Sequence, residues 1–289
     1  MKLNRLIAIL ATSLLGPVAW AGFVTFESAA VTPAGITPTR DAFRAAVGGG
    51  TVAGAHGSFG GVRREINWDG VPPERSDPNA LPADFFNSNL TSPRGAVFST
   101  PGTGFLVSAN AGVGTPILFG FGNDFQTFSA QKLFTAVNSN ITDVRFFVPG
   151  TSTAATTSAF GVIFVDVEVA DQTMLEFFDT SNVLIFTRAA IVAGNQGLSF
   201  LGAVANAGER ISRVRLTSGL NTIVANGQLG NQIDDVVVMD DFLYAEPLQR
   251  NSVPEPSSVA LFALALAGCA AVLRQRYSRA RQRFMRTQA

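Results

Sequence analysis

Four aspartates crowd the segment NQIDDVVVMDDF: Asp234, Asp235, Asp240 and Asp241. If strand alternation runs through it, Asp240 points with Val236, Val238 and Phe242, and Asp241 with Val237, Met239 and Leu243. One of the two then lies on a mostly apolar face, where a lone carboxylate is costly unless it is paired or bound to a cation. Ca2+ suits such a place, because it is satisfied by carboxylate and carbonyl oxygens. The expected set is Asp234, Asp235, Asp240 and Asp241, joined by Glu27 if the first and last strands pair. The competing reading places these acids at solvated strand ends, or in ion pairs with Arg213 or Arg215. A structural Ca2+ is the only cofactor the residues suggest.

Other chemistries find less support. The single histidine, His56, sits in the glycine-rich AGAHGSFGG, out of frame with a nucleophile elbow. A zinc site needs more than one histidine with no cysteine in the body. The one lysine beyond the N-terminal segment, Lys132, follows no phosphate-binding glycine loop. A glycosidase needs only two carboxylates across a cleft, but nothing singles out a pair, so the expectation is a protein without enzymatic activity. Trp68 beside Asp69 is the candidate carbohydrate contact, since a tryptophan face can stack on a sugar ring. Between its two ends the chain carries 20 acidic and 13 basic residues, a net of −7. That argues against a nucleic-acid partner, which needs a basic face.

The elements that must position these residues read as strands. VRREINW, VRFFV, MLEFFD, VLIFT, LSFLGAV, ISRVRLT and DVVVMDDFLYA are short apolar runs separated by turn sequences such as FVPGTS, FDTSN and VAGNQG. In VIFVDVEV, Ile163, Val165, Val167 and Val169 share one face, with Asp166 and Glu168 on the other. No intrachain disulfide is available to a chain with one cysteine, so the 24 phenylalanines must build the core. The pattern predicts an all-β fold, an antiparallel β-sandwich of jelly-roll type over residues 22–247. One short N-terminal helix is predicted in ITPTRDAFRAAVGGG, capped by Thr37, with Pro38 at its first position and Gly48 at its end. The Pro- and Asp-rich stretch from Asn67 to Gly95 reads as a long loop whose Phe85 and Phe86 pack back on the core.

The two ends read as addresses. Lys2 and Arg5, then Leu6 to Leu15, then Ala19-Trp20-Ala21 have the order of a secretory signal peptide over residues 1–21, cut after Ala21 by signal peptidase after Sec-type export. Near the other end, a linker (248–258) holds Val253-Pro254-Glu255-Pro256. An apolar helix (259–273) follows, and at 1.5 Å per residue it spans roughly 22 Å. That is a little short of a bilayer core of about 30 Å, a gap that flanking serines and snorkelling arginines narrow. The tail (274–289) carries Arg274, Arg276 and Arg279 at its start, which the positive-inside rule keeps cytoplasmic. The two prolines stop the helix and hold the tripeptide extended at the membrane surface.

This order of Pro-Glu-Pro, apolar helix and arginines closely resembles the PEP-CTERM sorting signal of exported bacterial proteins. The resemblance implies an exosortase as processing partner, a precursor anchored in the inner membrane with its body outside the cytoplasm, and later a cell-surface or extracellular location. It also implies a structural or adhesive role in an envelope or biofilm matrix. Two alternatives stand beside that role: a carbohydrate-binding module contacting exopolysaccharide through Trp68 and Asp69, and a polysaccharide hydrolase using a carboxylate pair. The stretch from SAFGVIFVDVEV to IDDVVVMDDFLYAEP also resembles an extracellular β-sandwich domain common among such sorted proteins, which implies no particular activity.

Overall fold

Two strands of the body, Ala159–Val165 and Val238–Ala245, are buried at every position. A strand with no solvent face must lie between two layers, and the rest of the architecture follows from that. The computed structural model describes residues 22–88, 92–110, 117–224, 228–231 and 235–249. In chain order its main elements are β1 (Phe23–Ala30), α1 (Pro33–Val47), β2 (Arg63–Ile66), β3 (Ala96–Ser99), β4 (Gly104–Val107), β5 (Phe134–Val137) and β6 (Ile141–Phe146). There follow β7 (Ala159–Val165), β8 (Met174–Phe178), β9 (Leu184–Ala189), β10 (Leu198–Ala205), β11 (Arg213–Thr217) and β12 (Val238–Ala245).

The strands form two sheets. The larger runs β1-β10-β7-β12-β5, with β2 also on β12 and β4 on β5. The smaller runs β9-β8-β11-β6-β3. Between them lies one core, drawn from Phe160, Val162, Phe164, Phe242 and Tyr244 of the larger sheet and Val144, Phe146, Leu175, Phe177 and Leu216 of the smaller. The outer face of the larger sheet makes a second core. Ile163, Val165, Leu198, Phe200 and Leu243 pack there against Ile36 and Phe43 of α1 and against Phe119 and Phe125. The smaller sheet turns its other face to water, so its strands keep the alternation seen in the sequence. β6, for example, buries Thr142, Val144 and Phe146 while exposing Arg145.

α1 is longer at its start than the sequence signals suggest. Thr32 is the N-cap and Pro33 the first residue, so Pro38 lies inside the helix. Thr37 does not cap; its hydroxyl donates to the Pro33 carbonyl one turn back at 2.8 Å. The helix ends, as read, at Gly48, whose φ of 91° favours glycine. Its anchor is Phe43, seated over the cross-strand pair Gly161 and Gly202. A Cβ on Gly202 would lie 2.9 Å from the Phe43 ring.

Residues 67–88 fold back as a cover: Phe85 and Phe86 are buried in the inter-sheet core and Leu81 bridges to Phe105. Among the described residues no helix is long and apolar enough to cross a membrane. The signal segment with Ala19 and Ala21, the Val253-Pro254-Glu255-Pro256 linker, the 259–273 helix, the arginine tail and Asp234 all lie outside the described residues.

Candidate functional site

The acids of β12 do not form one site. β12 carries a bulge at Asp240-Asp241: Met239 pairs with Phe164 and Phe242 with Val162, so two residues face the single Ile163. The bulge reverses the alternation. Met239 and Phe242 both enter the inter-sheet core, whereas Val238 and Leu243 face the helix side. The sequence expectation of unbroken alternation is corrected here, because the extra residue lets both aspartates turn the same way.

Asp240 is 0% exposed and Asp241 4%. Asp240 Oδ2 accepts the Phe128 N–H at 2.6 Å, and the Ser129 hydroxyl lies 3.0 Å from Asp240 Oδ1 and 2.7 Å from Asp241 Oδ1. Burial pushes both carboxyls above the usual range, and the neighbouring Asp241 charge pushes Asp240 further. The arrangement is a buried carboxyl pair bridged by the Ser129 hydroxyl, whose burial favours the protonated form. Its direct contact leaves no gap of the kind a glycosidase pair spans.

Asp235 is carried away from this pair by roughly 15 Å of near-extended chain. Glu27 is further removed, because β1 pairs with β10 and two strands separate it from β12. Its carboxylate instead takes Arg188 Nε at 2.8 Å and Nη2 at 2.5 Å. Arg213 and Arg215 are not partners of these acids either. Both clamp Asp143 on β6, at 2.7 and 2.9 Å.

Asp235 meets residues the sequence placed on a shared face but gave no role. Just past the end of β7, the Glu168 and Val169 amides approach the Asp235 carboxylate at 3.4 Å, with Asp166 two residues before Glu168. One carboxylate oxygen from each of Asp166, Glu168 and Asp235 lies within 4.8 Å of the others. Asp166 has φ 73°, a left-handed conformation that flips the chain and sends Val167 into the inter-sheet core instead of onto the Ile163–Val165 face. Burial, with the charges of Glu168, Asp235 and Asp124, pushes Asp166 up to about 7.

Trp68 is 1% exposed. It stacks on Phe134, meets Phe86, Phe98 and Phe242, and donates its indole N–H to the Asp240 carbonyl at 2.8 Å. Its ring offers no face to a sugar, so the expected aromatic platform is a core residue. Asp69 behaves differently. It lines a cleft of about 690 Å³ with Val71, Glu74, Asp77, Asn110 and Lys132. Its Oδ1 accepts the amides of Gln131 (2.5 Å) and Lys132 (3.2 Å). Lys132 is 2% exposed; its ammonium donates to the Val71 carbonyl and to Ser76 Oγ. Burial pushes the Asp77 carboxyl up to about 6, and its Oδ2, like Asn110 Oδ1, has no hydrogen-bond partner among the described residues. The sequence hint of this cleft was a lone lysine in a chain otherwise served by arginine. His56 sits exposed in a short turn, as a loop histidine.

The chemistry legible in the described residues is thus a buried acid pair, a carboxylate cluster and a polar cleft. The address is legible elsewhere. The model of the PEP-CTERM protein-sorting motif matches residues 252–276. No curated protein matches the chain. The match covers the Pro-Glu-Pro element, the apolar run and the first arginines. The chain therefore carries a PEP-CTERM protein-sorting motif at residues 252–276.

Proposed function

We propose that the protein is a structural or adhesive component of a bacterial envelope or biofilm matrix, delivered as exosortase cargo. In this reading, Sec-type export and signal peptidase free the mature chain after Ala21. The 259–273 helix then holds the precursor in the inner membrane, with Arg274, Arg276 and Arg279 inside. Exosortase acts at Val253-Pro254-Glu255-Pro256 and releases the body to the surface. The observation that carries the reading is the sorting motif at 252–276, which begins just after the compact unit that ends at Gln249. The body supports it with a double core built without disulfides, suited to persist outside the cell. Its strand order, β5-β12-β7-β10 in one sheet and β6-β11-β8-β9 in the other, supports a jelly roll, in which two Greek keys interleave.

Replacing Pro254, Glu255 and Pro256 together by alanine tests the sorting step. Fractionation should find the variant trapped as an inner-membrane precursor and lost from the surface. A surface level equal to that of the parent contradicts the reading. The role itself is tested by deletion, which should weaken cell attachment or matrix cohesion.

A second reading, contact with exopolysaccharide, moves from Trp68 to the cleft beside Asp69. Its lining of Asp69, Glu74, Asp77 and Asn110 favours it, because carboxylate and amide oxygens accept the hydroxyl hydrogens of a sugar. Binding of purified matrix polysaccharide that is lost in Asp77→Asn, with the fold intact, supports this reading. Equal binding by parent and variant removes it.

A further inference from the structure

We propose that Asp166, Glu168 and Asp235 form a calcium site that ties the outgoing end of β7 to the incoming end of β12. β7 and β12 are antiparallel neighbours, and each runs out of regular pairing at this rim, after Val165 and before Val238. Asp166 and Glu168 follow β7 and Asp235 precedes β12 at this rim, where the Asp235 carboxylate meets the Glu168 and Val169 amides. A Ca2+ holds oxygen ligands at about 2.4 Å, so two ligands of one ion lie at most about 4.8 Å apart. The three carboxylate oxygens meet that limit. A Mg2+, at about 2.1 Å and strictly octahedral, needs a tighter set.

The state of Asp235 is the independent observation. Its residue is 7% exposed, and its Oδ1 is buried with no hydrogen-bond partner. Its Oδ2 receives the Glu168 and Val169 amides only at 3.4 Å each. A buried carboxylate oxygen with nothing to accept is costly, and a cation resolves that cost. No arginine or lysine does so: among the described residues, none of the three acids is in an ion pair. The carboxylate pair on the β12 bulge meets the Ser129 hydroxyl and the Phe128 amide; among the described residues, the hydrogen bonds to Asp166 and Asp235 carboxylate oxygens come from backbone amides alone.

The surrounding backbone holds the ligands in place. Asp166 donates its N–H to the Gly197 carbonyl (2.8 Å), and its Oδ1 accepts the Gln196 N–H (2.8 Å). The Asp235 carbonyl takes the Leu220 and Asn221 amides at 3.0 and 2.8 Å. Two buried acids are thus fixed by main-chain contacts on both strands, while exposed Glu168 closes the site from the solvent side. Water supplies the remaining positions, which places the affinity with extracellular calcium modules, Kd about 10⁻⁴–10⁻³ M.

The test uses the full-length chain purified in mild detergent, treated with EDTA and titrated with CaCl2 by calorimetry, with thermal melts in parallel. One Ca2+ should bind per chain, and 10 mM CaCl2 should raise Tm by about 3–8 °C. Glu168→Gln, at an exposed position that the fold does not need, should weaken binding at least tenfold. Asp166→Asn with Asp235→Asn should abolish the calcium shift while melting no lower than the calcium-free parent. Asp84→Asn, an exposed acid elsewhere, should keep the full shift. The proposal is overturned by any of three results: no calcium-dependent heat or Tm change at 10 mM, a shift that survives both Glu168→Gln and the double variant, or a response to MgCl2 equal to that for CaCl2.

Discussion

Trp68 lies flat on Phe134, their ring centroids 4.1 Å apart and 2° from parallel. The stack joins the start of the covering loop to β5 of the larger sheet, and the indole N–H reaches across to the Asp240 carbonyl at the β12 bulge. Trp68→Ala should therefore cost about 3–5 kcal/mol. Trp68→Phe keeps a ring but loses the hydrogen bond and some volume, and should cost about 1–2 kcal/mol. Urea unfolding measures both. The consequence for function is direct: any loss of glycan binding in Trp68→Ala should track loss of fold, and disappear in Trp68→Phe.

The Asp240–Asp241 pair should make stability depend on pH. Facing it are Ser129, the Phe128 N–H, Glu65 and Arg40. Both carboxyls titrate above their unfolded values, so their contribution is fully present below the ordinary aspartate pKa and is lost as pH rises through the raised one. Asp240→Asn removes the proton requirement. The parent should lose stability relative to this variant as pH rises above the ordinary aspartate range, read from paired urea melts. Parallel curves for the two proteins would contradict the raised titration of the pair.

Asp143 should show the opposite sign. Burial raises its pKa, but the hydrogen bonds of Arg215 and Arg213 outweigh burial and hold the carboxyl below its ordinary range. Its contribution is present above the unfolded pKa and lost as pH falls through the native one. Asp143→Ala should cost about 1–3 kcal/mol at pH 7, because it strips an ionic partner from nearly buried Arg213. The cost should shrink toward pH 2–3 in the same melts.

The seat of α1 makes a steric prediction. Gly161 and Gly202 pair across β7 and β10 to leave a flat patch, and Phe43 fills it. Gly202→Ala places a methyl 2.9 Å from that ring and 3.1 Å from the Gly161 Cα, where the opposing backbone cannot retreat. It should cost about 1–3 kcal/mol. Gly61→Ala meets no atom within 4 Å and tests only the strain of its φ of 72°. Hydrogen exchange should localise the Gly202→Ala effect to α1.

These relationships differ in how far the sequence foretells them. The all-β class, most strands and the end of α1 were readable because alternation and turn residues are local. The covering role of Phe85 and Phe86 was readable from the length of the loop around them. The bulge was not: two adjacent aspartates look the same in a regular strand as at an inserted residue, and only the pairing of Met239 and Phe242 with Phe164 and Val162 distinguishes them. Nor does the sequence show that Asp166 turns left-handed and sends Val167 to the other core. The Asp166–Glu168–Asp235 cluster needs a register between segments far apart in the chain. A lone tryptophan in a polar loop gives no sign of which side it faces, so the sequence alone does not place Trp68 in the core. The sorting motif was legible in full, because its three features follow one another in order.

The central claim is that this chain is cargo whose closing segment is cut away. Intact mass spectrometry of the protein recovered from the cell surface and medium tests it most directly. The account predicts a species that begins at Gly22 and ends within or before the 252–276 motif, alone or joined to a surface component. A surface species retaining the full 289 residues and 30.4 kDa contradicts it.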